Sequence, residues 1–151
     1  MLSCDLIVAE ENTRFTQAFV KIGLSPDGGG TYFLPRLVGY ARACELTMLP
    51  TEISAKKAFD WGLINWIVSK DSFENEVRKI AEQLAAGPTL TIGRTKFLLN
   101  RIDDSLLAEQ MEIERHVQME NAASENFEEG LKAFIDKRKP KFKYKCKNKR
   151  E

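Results

Sequence analysis

With 151 residues, 43% of them hydrophobic and 30% charged, the chain has the size and composition of one globular domain or a piece of one, which excludes a fibrous or wholly disordered protein. No stretch approaches the ~18 consecutive apolar residues of a membrane span, and residues 1–5 carry no basic region leading into an apolar run, so neither an anchor nor a signal peptide is expected. The net charge of +1 hides an asymmetry: residues 137–150 hold nine Lys or Arg and no acid, so an acidic body precedes a basic tail. Cys4, Cys44 and Cys146 show neither metal spacing nor a disulfide framework, which fits a reducing compartment, here taken as the cytoplasm. A single histidine, His116, argues against a Ser-His triad or a histidine-rich metal site; no metal is expected.

In chain order, Asp5-Leu6-Ile7-Val8-Ala9 reads as a buried strand and Arg14-Phe15-Thr16 as a second short one. Residues 17–22 suit a helical turn ending at Gly23. Residues 31–39 and 40–49 read as helices, with Ala41, Ala43, Cys44 and Ala58 small enough for close packing. Pro50-Thr51-Glu52 breaks the chain. Ser54 can N-cap a helix over 55–61 that Gly62 ends, and residues 63–68 read as a strand. Beyond residue 70 the pattern is helical. Asp71 with Glu74 resembles a capping box, and Phe73, Val77, Ile80, Ala81 and Leu84 form a stripe. Gly87-Pro88 separates a second helix carrying Leu90, Phe97, Leu98 and Ile102. Asp103-Asp104-Ser105 is expected to start a third, ending near Ala123. Ser124 caps a fourth with Phe127, Leu131, Phe134 and Ile135 on one face, stopped by Pro140. His116 is expected to be a solvated or interface residue. The organisation expected is a mixed α/β portion over 1–70, a helical region over 71–140 and a basic tail over 141–151.

One stretch stands apart: Gly23-Leu24-Ser25-Pro26-Asp27-Gly28-Gly29-Gly30-Thr31. Three successive glycines bare the main chain and permit dihedrals closed to other residues. Pro26 stiffens the approach to Asp27, the only carboxylate between Glu11 and Glu45. Two readings stand side by side. Asp27 caps the following helix, or it is a catalytic carboxylate at the tip of a loop.

Read together, five segments resemble the enoyl-CoA hydratase/isomerase (crotonase) family. These are Cys4-Asp5-Leu6-Ile7-Val8-Ala9; Phe15 with Gly23-Leu24-Ser25-Pro26 and Gly29-Gly30-Thr31; Leu34-Pro35-Arg36-Leu37-Val38-Gly39 with Ala41-Arg42-Ala43; Ile53-Ser54-Ala55 with Trp61-Gly62-Leu63-Ile64; and Glu129-Gly130-Leu131-Lys132-Ala133-Phe134 with Lys137-Arg138. The likeness runs from about Cys4 to Phe142. The implied fold is α/β, the C-terminal part of a crotonase-type ββα spiral followed by a helical oligomerisation region. Self-association through these helices is expected, as a trimer or a dimer of trimers, because four apolar stripes face only a thin β-portion. The family's oxyanion-hole amides and first hydratase glutamate belong to segments that would precede Asp5.

The resemblance implies site residues one by one. The second hydratase glutamate would fall at Phe19, which cannot do acid–base work, so hydration is disfavoured. Asp27 lies where some family isomerases carry their single acid, and the Pro26-Asp27 and glycine run is similar to the ring-epoxide isomerase subgroup of phenylacetate breakdown. Phe19, Leu24, Pro26, Gly28, Gly29 and Gly30 would line the acyl-CoA thioester pocket. Phe134 and Lys137 would hold the coenzyme A moiety, which arrives as part of the substrate, so no separate cofactor is implied. Two readings follow: an isomerase moving a double bond with Asp27, or a non-catalytic oligomerisation or acyl-CoA-binding module. The aromatic-interleaved tail admits nucleic-acid or membrane binding in principle, but a solvated segment is the simpler expectation.

Overall fold

Four short strands lie before residue 70: β1 (Val8–Glu10), β2 (Arg14–Phe15), β3 (Ile53–Ser54) and β4 (Trp66–Val68). Interleaved with them are α1 (Gly30–Val38), α2 (Tyr40–Met48) and α3 (Ala55–Asp60). The remaining helices are α4 (Phe73–Ala86), α5 (Thr89–Leu99), α6 (Leu107–Ala122) and α7 (Glu125–Ile135). The computed structural model describes residues 1–49, 51–102 and 105–143. It divides into two compact units, Met1–Arg78 and Lys79–Glu151.

In the first unit β1 pairs parallel with β4, Ala9 opposite Ile67, and β2 pairs antiparallel with β3, Phe15 opposite Ile53. The ladder is shorter than the apolar run that feeds it. Ile7 N–H is taken by the side chain of Asn65, at 2.7 Å to Oδ1, and Ile7 O accepts from Asn65 N at 2.8 Å. One asparagine thus replaces a strand partner, and residues 5–7 leave the sheet. The core gathers Ile7 and Ala9, Leu34 and Val38 of α1, Ala43 and Leu46 of α2, Ile53, Ala55 and Ala58, and Leu63 and Ile64. Ala43 is small where α1 and α2 pack together, and Ala58 where α3 packs on the strands; Ala41, expected beside them, is exposed.

Local signals explain the ends of α3. Ser54 Oγ accepts from Lys57 N at 3.2 Å, one of the orphan donors of a helix start. At the other end Gly62 adopts φ 78, Gly62 N donates to Phe59 O at 2.9 Å and Leu63 N to Ala58 O at 2.8 Å. That pair of bonds is a Schellman closure with glycine in its left-handed position.

In the second unit Ser124 Oγ accepts from Phe127 N at 3.2 Å and caps α7 as expected. Arg94 ties α5 to α6, donating to Asn121 Oδ1 at 2.8 Å and pairing with Glu120 at 2.6 Å. Three helix limits differ from expectation. The cap before α4 is Ser69, whose Oγ accepts from Ser72 N at 3.3 Å; this forms a 3-10 turn that contains Asp71. α6 starts at Leu107, and the Ser105 hydroxyl donates to Arg101 O at 2.9 Å rather than capping it; Asp103 and Asp104 lie outside the described residues. α7 closes at Ile135, well before Pro140. His116 is exposed and meets Glu112 at 3.0 Å. Among the described residues no helix is long and apolar enough to cross a membrane. The tail from Tyr144 onward lies outside the described residues.

Candidate active site

The glycine stretch begins where a 3-10 turn, Phe19–Ile22, is stopped by Gly23 at φ 75. Leu24 N donates to Phe19 O at 3.1 Å, so two expected pocket residues are joined through the main chain. Phe19 is half-buried and Leu24 exposed. After Pro26 and Asp27, Gly28 and Gly29 both turn left-handed, at φ 56 and φ 82. Gly29 is the N-cap of α1, and no side chain caps that helix.

This overturns the capping reading of Asp27. A capping side chain belongs to the N-cap residue, and two left-handed glycines move that position two residues past the acid. Asp27 uses only its carbonyl, which accepts from Gly30 N at 2.9 Å. Its carboxylate is exposed and makes no hydrogen bond or ion pair among the described residues.

The glycines differ in what they need. A Cβ on Gly29 would lie 2.9 Å from the Phe33 ring, whereas one on Gly28 would meet nothing within 4 Å. Gly30 is buried, and a Cβ there would lie 3.5 Å from Pro26 Cβ and 3.7 Å from Gln17 Nε2. Gln17 also lines a cavity of about 270 Å³ with Phe15, Leu34, Leu46 and Leu63. The cavity wall and the glycine loop therefore share Gln17, which sequence reasoning passed over. The available signal was its place two residues after Phe15, on the same side of an extended segment.

Phe134 and Lys137 belong to the second unit. Phe134 is 82% exposed. Lys137 is exposed and, among the described residues, the one non-glycine with positive φ, at 51°. The chain then folds back along α7. Arg138 donates to both carboxylate oxygens of Glu129, at 2.7 and 3.0 Å, and Lys141 N donates to Glu129 Oε1 at 2.7 Å. Asn126 exchanges two hydrogen bonds with the main chain of Lys143, at 2.9 and 3.3 Å. The Arg138 guanidinium, then the Lys141 amide, hold the Glu129 carboxyl down at about 2. Glu129 and Arg138 entered the sequence reading as motif letters. Their nine-residue separation gave no hint that they meet. Phe142, carried by this returning strap, closes one wall of a cavity of about 550 Å³ with Thr91, Ala122, Phe127 and Leu131. Among the described residues no cluster of acids, cysteines or histidine suits a metal ion.

Comparison with known proteins accords with the motif pattern. The enoyl-CoA hydratase/isomerase family profile matches residues 1–145. The chain is 37% identical to 1,2-epoxyphenylacetyl-CoA isomerase of Escherichia coli over 141 residues, 93% of this chain and 54% of that protein. It is 31% identical to trans-2-decenoyl-acyl-carrier-protein isomerase of Streptococcus mutans, again over 93% of this chain and 54% of the relative. A crystal structure of an enoyl-CoA hydratase from Polaromonas sp. superposes with a TM-score of 0.88 at 36% identity, covering 94% of this chain and 55% of that one. The chain thus spans about half the length of the curated relatives it matches.

Proposed function

Because the chain belongs to the enoyl-CoA hydratase/isomerase family, we propose that it carries the acid and the coenzyme A contacts of an acyl-CoA isomerase. Asp27 is the base. Its carboxylate takes the α-proton of a β,γ-unsaturated thioester, the electron pair moves into a dienolate with charge on the thioester oxygen, and the resulting acid returns the proton at the γ-carbon. One bond to hydrogen breaks, one forms, and the double bond ends at α,β. The dienolate needs oxyanion donors worth ~3 kcal/mol or more each. By the family resemblance these belong to the whole domain, of which this chain is about half the relatives' length.

The observation that carries the reading is the state of Asp27. It is exposed at the tip of the Pro26–glycine loop, and it neither caps α1 nor pairs with a cation among the described residues. Phe19, where a hydratase glutamate would fall, supports isomerisation over hydration. The name of the Escherichia coli relative, an isomerase of a phenylacetyl-derived coenzyme A thioester, supports isomerisation of a coenzyme A thioester as the reaction class. In the whole domain, Asp27→Asn keeps the loop's shape and removes proton transfer. The expected result is a loss of about a hundredfold or more in migration of the double bond of 3-enoyl-CoA thioesters. Unchanged turnover would return Asp27 to a structural role.

Copies associate through the helices of the second unit, as a trimer. The support is the exposed apolar face of α7, with Phe127, Leu131, Phe134 and Ile135, and of α6, with Leu107 and Met111. Sedimentation showing a well-folded monomer at high concentration would sink this.

A further inference from the structure

We infer that Glu129 and Arg138 are positioning residues that hold Lys137 in a left-handed backbone conformation, where its ammonium meets the phosphates of the coenzyme A moiety. This rests on the reading of Lys137 as a coenzyme A contact.

At α3 and at α7 the chain closes with the same pair of bonds. Arg138 N donates to Ala133 O at 3.0 Å and Lys137 N to Phe134 O at 3.3 Å, as Leu63 and Gly62 do at α3. At α3 the left-handed position holds Gly62; at α7 it holds Lys137. A lysine there is strained, because its Cβ crowds the neighbouring carbonyl. Such a residue persists only when its surroundings over-determine it. The surroundings are at hand. The residue after Lys137 is bound by both carboxylate oxygens of Glu129, and Asp136 approaches the same guanidinium at 3.4 Å. Glu129 also fixes Lys141 N, so both sides of Lys137 are tied to one helix: α7 itself before it, Glu129 after it. Lys137's own ammonium has no anionic partner among the described residues. The strain thus keeps an unneutralised cation at a fixed main-chain position three residues after the exposed Phe134 ring.

The test is a double-mutant cycle on the full protein, read as coenzyme A affinity by calorimetry, with pantetheine, which lacks the phosphates, as the control ligand. Lys137→Ala weakens coenzyme A about tenfold or more, as loss of a charge-assisted contact does. Glu129→Gln weakens it about tenfold, by lowering the population of the competent conformation. In the Lys137→Ala background Glu129→Gln adds less than about twofold. Pantetheine affinity stays level throughout. A separate measurement needs no ligand: Lys137→Gly relieves the strain and raises Tm by about 2–4 °C. If Lys137→Ala binds coenzyme A like the parent, or the parent binds none, the coenzyme A reading falls and the inference with it. If Lys137→Ala weakens binding but Glu129→Gln does not, or its effect is the same with and without Lys137, the inference alone is overturned. Equal loss of pantetheine, or no rise in Tm for Lys137→Gly, overturns it as well.

Discussion

The two units use the same kind of amphipathic helix to different ends. In Met1–Arg78 the apolar stripes of α1 and α2 are buried in one core with Ile7, Ala9 and Ile53; in Lys79–Glu151 only Ala133 is buried among the described residues. Leu34 on α1 is 2% exposed, Leu131 on α7 is 49% exposed, and both sit on apolar stripes at helical spacing. Periodicity therefore reports which side of a helix is apolar, not what covers it.

Mutations can break or sharpen this contrast. The largest effect is expected at Leu34→Ala, which empties a buried site of the first unit. Urea unfolding should show a loss of about 2–5 kcal/mol, and a loss under 1 kcal/mol would mean that the first unit's core is not what holds it. Gly29→Ala follows, at about 1–2 kcal/mol or more, since a Cβ there meets both an unfavourable φ and the Phe33 ring. Gly28→Ala shares the φ but not the contact, and thermal melts should rank it milder. Ser124→Ala removes the cap of α7 and should cost about 1 kcal/mol, read in the helical circular-dichroism signal. Leu131→Ala should cost under about 0.5 kcal/mol in a monomer. If copies cover that face, the cost rises and unfolding becomes concentration-dependent.

A further expected change is in pH dependence. Folding lowers the Glu129 carboxyl from its ordinary 4.5 to about 2, through Arg138, the Lys141 amide and, weakly, Lys132. A carboxyl lowered by folding stabilises fully above its unfolded value and loses that contribution as pH falls from about 4.5 towards 2. The Glu129→Gln protein should lack this component of acid sensitivity; equal slopes of urea midpoint against pH would contradict the pairing.

What was legible in the sequence was local. Ser54, Ser124, Gly23 and Gly62 act within three or four residues, and their chemistry reads directly from type and spacing. The fold family was legible from five ordered motifs. Illegible were effects set by distant partners or by main-chain geometry. Asn65 trims β1 from 58 residues away. Gly28 and Gly29 turn the chain so that Asp27, a good cap by type, stands clear of the helix it precedes. Nothing in the letters Lys-Arg announces that one is left-handed and the other clamped to Glu129. The proposed pocket residues were named from the resemblance; Gln17 was not, and it lies between the glycine loop and a neighbouring cavity.

The strand pairing of the first unit also bears on how the chain reaches its structure. β1 waits for β4, with Val8 opposite Trp66, and β2 waits for β3, with Arg14 opposite Ser54. Each pairing closes a long loop before any ladder bond rewards it, whereas α5, α6 and α7 meet their sequence neighbours. Helical signal from the second unit should therefore appear early in refolding, and the two small sheets should set the slow step.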